Sequence, residues 1–100
     1  MGKDSINIEA LVGYFKSQPI KTAWLFGSYA VGDANSNSDV DILVAYDEQA
    51  RVGMLKHAEI ILDLENLLKK KVDLVPEDSL FENIRPFVLS QRIKIYERSH

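Results

Sequence analysis

A small α/β (α+β) domain, with one mixed β-sheet of three to four strands and helices packed against it, is the fold class this 100-residue sequence predicts. Three observations predict it. Apolar runs of strand length recur at residues 22–26, 39–46 and 72–75. Segments with helical spacing of apolar residues precede the first run, at residues 8–15, and separate the second from the third, at residues 52–69. The order that results, α-β-turn-β-α-β-α-β, alternates the two element types as layered α/β domains do. The length admits one domain over residues 1–100.

Each element has a local reason. Ile8, Leu11, Val12 and Phe15 fall at i, i+3, i+4 and i+7, one face of an amphipathic helix that stops near Pro19. Asn7 or Ser5 is positioned to cap its start. Residues 22–26, TAWLF, are apolar and rich in aromatics, which suits a buried strand ended by Gly27. Ser28 to Val31 fit a short helical turn closed by Gly32, and Asp33 to Ser38 form a turn-rich loop. Asp39 to Tyr46 read as a second strand, with Ile42 and Val44 on one face and Asp39, Asp41 and Leu43 on the other. Residues 52–69 have a broad apolar helical face that packs on the sheet. Val72 to Val75 form a third strand ended by Pro76. Residues 79–82, SLFE, have the capping-box spacing of a helix start, while Pro86 suits the first position of that helix instead. Residues 93–96 alternate as a final edge strand.

Composition narrows the function. The apolar fraction of 46% argues against disorder. Net charge is −3, so there is no basic field to hold a nucleic-acid backbone. The absence of cysteine excludes disulfide and thiolate chemistry. No apolar run approaches the ~20 residues of a membrane span, and MGKDSINIEA lacks the apolar core of a signal peptide. A soluble cytoplasmic protein is the expectation.

Two features point to chemistry. Asp39 and Asp41 share a strand face, roughly 6–7 Å apart along the strand. Like charges this close oppose each other's ionisation, and a divalent cation removes the conflict. Mg²⁺ prefers carboxylate oxygens and keeps waters and substrate phosphates as its other ligands. Asp73 is a third acid inside an apolar strand, next to the pair if the third strand lies beside the second. Three such acids suit a pair of ions that stabilises both the attacking and the leaving oxygen of a phosphoryl-type displacement. A lone D-x-D also reads as strand-end acids facing water. The second feature is Gly27-Ser28, between a buried strand and a helical turn. Glycine lets a phosphate approach the backbone, helix-start amides face an anion, and the Ser28 hydroxyl adds a donor. Taken alone, it also reads as a turn with a serine cap. Together the two features make the halves of a nucleotide site.

Gly-Ser, ten residues and then Asp-x-Asp, here Gly27-Ser28, residues 29–38 and Asp39-Val40-Asp41, resembles the motif of the nucleotidyltransferase superfamily that includes DNA polymerase beta. The likeness is to its minimal nucleotidyltransferase (MNT) domains, and it extends to Ala30, Gly32, Ser38 and to Asp73 in KVDLV. The resemblance implies the nucleotidyltransferase fold and Mg²⁺-dependent transfer of AMP from ATP to a hydroxyl. It implies that Gly27 and Ser28 hold the triphosphate and that Asp39, Asp41 and Asp73 bind two Mg²⁺ ions, with Asp73 helping to take the acceptor's proton. Stand-alone MNT proteins resemble antitoxins that adenylylate a tyrosine of a helical HEPN-domain ribonuclease toxin. That likeness implies a HEPN partner, with homo-oligomers or a hetero-oligomer with the toxin as its assemblies. An enzyme acting on a small hydroxylated molecule such as an aminoglycoside, and a toxin-neutralising partner without catalysis, stand as alternatives.

Many relatives have arginine where this chain has Tyr29 and Val31, a departure that implies either weaker NTP binding or a phosphate contact supplied by another residue. Arg51, Lys56 and the run Lys69-Lys70-Lys71 are candidates, although the run equally suits a solvated helix end. His57 and the terminal His100 do not pair in sequence, and His57 reads as surface or partly packed. Trp24 and Phe26 read as core. Glu77-Asp78 reads as favourable charge before a helix start.

Overall fold

The computed structural model describes residues 6–98, so Ser5 and His100 lie outside the described residues. Helix α1 (Ile8–Lys16) is capped by Asn7, whose Oδ1 accepts from the Ala10 amide at 3.0 Å. It buries Leu11 and Phe15, the two central positions of the apolar face. Strand β1 (Ile20–Phe26) follows, then the one-turn helix α2 (Ser28–Val31) and strand β2 (Val40–Tyr46). Helix α3 (Met54–Leu68) crosses back to strand β3 (Val72–Pro76). A 3₁₀ turn (Glu77–Ser79), helix α4 (Arg85–Gln91) and strand β4 (Ile93–Glu97) complete the described chain.

The four strands form one sheet in the order β3-β2-β1-β4. The β1–β2 and β1–β4 pairs are antiparallel, and β2–β3 is parallel, as the α3 crossover requires. This is the expected mixed sheet with four strands, and β3 does lie beside β2.

Strand alternation sorts the side chains onto two faces. Val40, Ile42 and Val44 of β2, Ala23 and Leu25 of β1 and Val72 and Leu74 of β3 pack with Leu11, Phe15, Ile60 and Leu64 of α1 and α3. The opposite face holds a smaller cluster of Trp24, Leu43 and Val88, flanked by Phe26, Ala45, Val75 and Leu80. Asp39, Asp41 and Asp73 belong to this second, thinly covered face by the same alternation.

Two expectations need correction. The SLFE capping box does not start a helix. Ser79 ends the 3₁₀ turn, where its Oγ donates to the Pro76 carbonyl at 2.8 Å, and α4 begins at Arg85 with Pro86 in its first turn. The fixed φ of proline and its missing N–H outweigh the capping pattern. The apolar face of α3 is also narrower than its composition suggests. Ile60 and Leu64 are buried, but Met54 and Leu55 are each 89% exposed and Leu62 is 61% exposed.

Candidate active site

Strand register builds the site. Phe26 pairs with Asp41 across β1–β2, and Asp41 pairs with Asp73 across β2–β3. One row across the sheet therefore leads from the end of β1, where Gly27 follows, through Asp41 to Asp73. Asp39 stands just before β2, two residues from Asp41 and on the same side. The start of β2 is tied to β3 by the Val40 amide, which donates to the Lys71 carbonyl at 2.9 Å.

The Gly-Ser turn is held against this row. Gly27 adopts φ +72 and ψ −151, a conformation open essentially to glycine. A Cβ added there would lie 2.1 Å from Asp41 Oδ2, so the bare backbone of Gly27 faces the Asp41 carboxylate. The Gly27 carbonyl accepts from the Ala30 and Val31 amides and starts α2 at Ser28. Gly32, at φ +85, ends α2, and its amide and that of Asp33 both donate to the Ser28 carbonyl. The loop to Asp39 is fastened by its own polar side chains. Ser38 Oγ accepts from the Asn35 amide at 2.9 Å, and Asn35 Oδ1 accepts from the Asn37 amide at 2.8 Å. The turn-rich composition thus becomes an ordered arm that delivers Asp39 to the row.

Electrostatics singles out Asp41. Its carboxyl is pushed up to about 6, first by burial, then by the charge of Asp73 and then by that of Asp39. Asp39 and Asp73 are exposed, whereas Asp41 is half-buried. Asp41 thus feels the charges of both other acids. The three acids do not converge as they stand: among the described residues, no group of three or more histidine, cysteine or acidic side chains is drawn together to hold a metal ion. The donor set still suits Mg²⁺, since the repulsion that raises Asp41 is what a hard divalent cation relieves.

The other singled-out residues divide by position. Lys69 to Lys71 lead into β3 at the same sheet end as the acids, with Lys69 as the C-cap of α3 in a left-handed conformation, φ +58. Arg51 and Lys56 flank the start of α3, near the opposite end of β2, which puts them far from the acids. Trp24 is core, as expected: it is 8% exposed and Arg92 lies 4.1 Å above its ring, so it offers no stacking surface. Glu77 opens the 3₁₀ turn, with Asp78 next to it, and forms ion pairs with Arg92 (3.3 Å) and Arg85 (3.7 Å) that fasten this turn to α4.

A constellation that sequence reasoning missed lies at the far end of β2. Tyr46 and His57 Nδ1 are 2.8 Å apart, and His57 Nε2 is 3.1 Å from the Leu74 carbonyl. The carbonyl can only accept, so Nε2 has the proton and the Tyr46 hydroxyl donates to Nδ1. Burial pushes the Tyr46 hydroxyl up to about 12, which keeps it a donor. The pair lines a cavity of about 740 Å³ bounded also by Val52, Met54, Ile61 and Pro76. Tyr46 and His57 are separated by a loop in sequence, and no spacing rule connects them. The residues that Tyr46 and Asp41 occupy on β2 are roughly 17 Å apart, at ~3.3 Å per residue.

Comparison with known proteins agrees with this geometry. The family model "Polymerase beta, Nucleotidyltransferase" matches residues 9–100. The protein adenylyltransferase MntA of Thermococcus cleftensis is 40% identical over 76 residues, 76% of this chain and 75% of that protein. A Methanocaldococcus jannaschii protein named as a protein adenylyltransferase is 41% identical over 61 residues, and the match spans 61% of its length, less than two thirds. Among solved structures, one described as a minimal nucleotidyltransferase is 36% identical with a TM-score of 0.71, and the match covers 86% of both chains. A toxin–antitoxin crystallised with AMP-PNP superposes with a TM-score of 0.79 at 24% identity, over 94% of this chain and 76% of that one. The complex of a tri-AMPylated Shewanella oneidensis HEPN toxin with its MNT antitoxin gives 0.69 at 20%, over 91% of this chain and 70% of that one. The last two show the shared fold. With the motif set in one strand row and the family model spanning nearly the whole chain, this protein belongs to the polymerase beta nucleotidyltransferase family.

Proposed function

We propose that this chain transfers AMP from ATP to a hydroxyl, a tyrosine of a HEPN-domain toxin, and so acts as that toxin's antitoxin. The observation that supports it most is the row Gly27–Asp41–Asp73, in which a glycine turn abuts one acid and that acid pairs in register with a second on the adjacent strand. Relatives named as protein adenylyltransferases, and the fold shared with MNT antitoxins in HEPN complexes, point to the same acceptor class.

In this reading Asp39, Asp41 and Asp73 would hold Mg²⁺, and Gly27 with Ser28 would seat the triphosphate. When bound, Mg²⁺ neutralises phosphate charge and polarises the α-phosphorus. The acceptor oxygen attacks the α-phosphorus, the bond to the bridging oxygen breaks, and pyrophosphate leaves. Asp73, the exposed acid of the row, takes the acceptor's proton. The residues of the chain contribute mainly by positioning and by fixed charge, and no covalent enzyme intermediate is needed.

Intact-mass spectrometry of a HEPN-domain protein that co-purifies with this chain, after incubation with the protein and Mg-ATP, tests the reading. One or more AMP units should appear with the unmutated chain and be absent with Asp39→Asn, Asp41→Asn. A partner held tightly without mass change would replace this function with neutralisation by contact.

A further inference from the structure

Helix α4 lies on the acid-bearing face. Its Val88 is buried against Trp24 and Leu43, and Leu43 stands two residues from Asp41 on the same side of β2, roughly 6–7 Å along the strand. The outer surface of α4 therefore lies on the same face of the sheet as Asp41 and Asp73. Large apolar side chains stand exposed on that surface and on the turn that leads into it. Phe81 is 75% exposed, Ile84 43% and Phe87 64%. The Ile84 and Arg85 amides donate to the Phe81 carbonyl at 3.1 and 3.0 Å, so a turn leads into α4 and sets the three residues at steps of three. Two exposed phenylalanines on an 11.3 kDa chain are costly unless a partner covers them. Asp78 and Glu82, both exposed, flank this patch in sequence.

We propose that Phe81, Ile84 and Phe87 form the docking surface for the acceptor protein, which meets it with an apolar surface rimmed by basic side chains. The proposal rests on the adenylyl-transfer reading and adds the part of that reaction that selects the acceptor. Continuity with the acid row favours α4 over the other exposed apolar stripe. Leu55 and Leu62 of α3 are on the helix-covered side of the sheet and face away from the acids.

The test compares three chains in complex with a HEPN-domain protein that co-purifies with the unmutated chain. These are the unmutated chain, Phe81→Ser with Phe87→Ser, and Leu55→Ser with Leu62→Ser. Circular dichroism first confirms folding; all four positions are solvent-exposed, so the core is untouched. Loss of two aromatic anchors is expected to weaken the complex about thirtyfold or more and to slow AMP transfer in parallel. The α3 variant should match the unmutated chain in both. Unchanged affinity of the α4 variant, or weakening confined to the α3 variant, overturns the proposal. Affinity reads docking and the mass gain reads chemistry. An α4 variant that loses binding while the unmutated chain binds without adding AMP would therefore uphold the surface and remove the enzymatic reading.

Discussion

Gly27 and Asp41 are one structural unit. The glycine conformation, φ +72 with ψ −151, costs a residue with a side chain roughly 1–3 kcal/mol. In addition, a methyl group there would lie 2.1 Å from Asp41 Oδ2 and has to displace the carboxylate. Gly27→Ala should therefore lower the melting temperature by several degrees and reduce AMP transfer by about tenfold or more, the loss expected when a reacting group is misplaced by about an ångström. Calorimetry and the mass assay check the two effects. Asp41 makes a second prediction, about pH. Its folded-state carboxyl titrates at about 6, above the unfolded value of roughly 4. Between those values the folded chain binds more protons than the unfolded one. The Asp41 contribution to stability is thus fully present below about pH 4 and is lost as pH rises through about 6. Melting curves in EDTA should show Asp41→Asn gaining on the unmutated chain from pH 4 to pH 7. A constant gap would mean that Asp41 is not perturbed. The acid spacing was legible in the sequence because a strand repeats every two residues. The contact between Gly27 and Asp41 was not, because it depends on the register between two strands.

At the scale of elements, local chemistry predicted some ends and missed others. Asn7 caps α1 as expected, since an N-cap needs only its own side chain and the amide of Ala10. Ser79 has an equally good local pattern, but its hydroxyl is turned to the Pro76 carbonyl and Pro86 sets the start of α4. The fold reason lies outside that window: Glu77 is drawn to Arg85 and Arg92, which fastens the turn before the helix. The end of α3 offers a stability test. Lys69 closes the helix at φ +58, a conformation that costs a non-glycine residue roughly 1–2 kcal/mol. Its amide donates to the Glu65 carbonyl at 2.8 Å, which glycine preserves. Lys69→Gly should raise unfolding free energy by up to about 1 kcal/mol, after the added chain entropy of glycine is set against the relieved strain. Urea denaturation gives the answer; a fall in stability would show that the lysine side chain contributes more than its backbone costs.

Across the whole molecule, the sheet order brings together residues that are distant in sequence. The α/β class, the mixed sheet and the shared strand face of Asp39, Asp41 and Leu43 followed from periodicity. The assignment of α4 to the acid face did not, since residues 80–88 have no strong helical pattern and are placed by Val88 on Leu43. A binding test operates at this scale. Mg²⁺ with ATP at a hundredfold excess over Kd should stabilise the unmutated chain by about 2.7 kcal/mol, and Asp39→Asn, Asp41→Asn should lose most of that gain. Thermal shift at pH 7.5 measures it, and equal shifts in both chains would separate ATP binding from the acids. One feature of the sheet has a meaning for synthesis. Strand β1 lies between β2 and β4, and its outer side is closed only by residues 93–97, with the Arg98 amide donating to the Lys21 carbonyl at 2.8 Å. While the chain emerges from the ribosome, β1 can pair with β2 early but keeps an open hydrogen-bonding edge until the last strand has cleared the exit tunnel. Nascent or prematurely ended chains therefore expose a sticky strand beside the row of acids, and chaperones and proteases meet the protein in that state before any partner does.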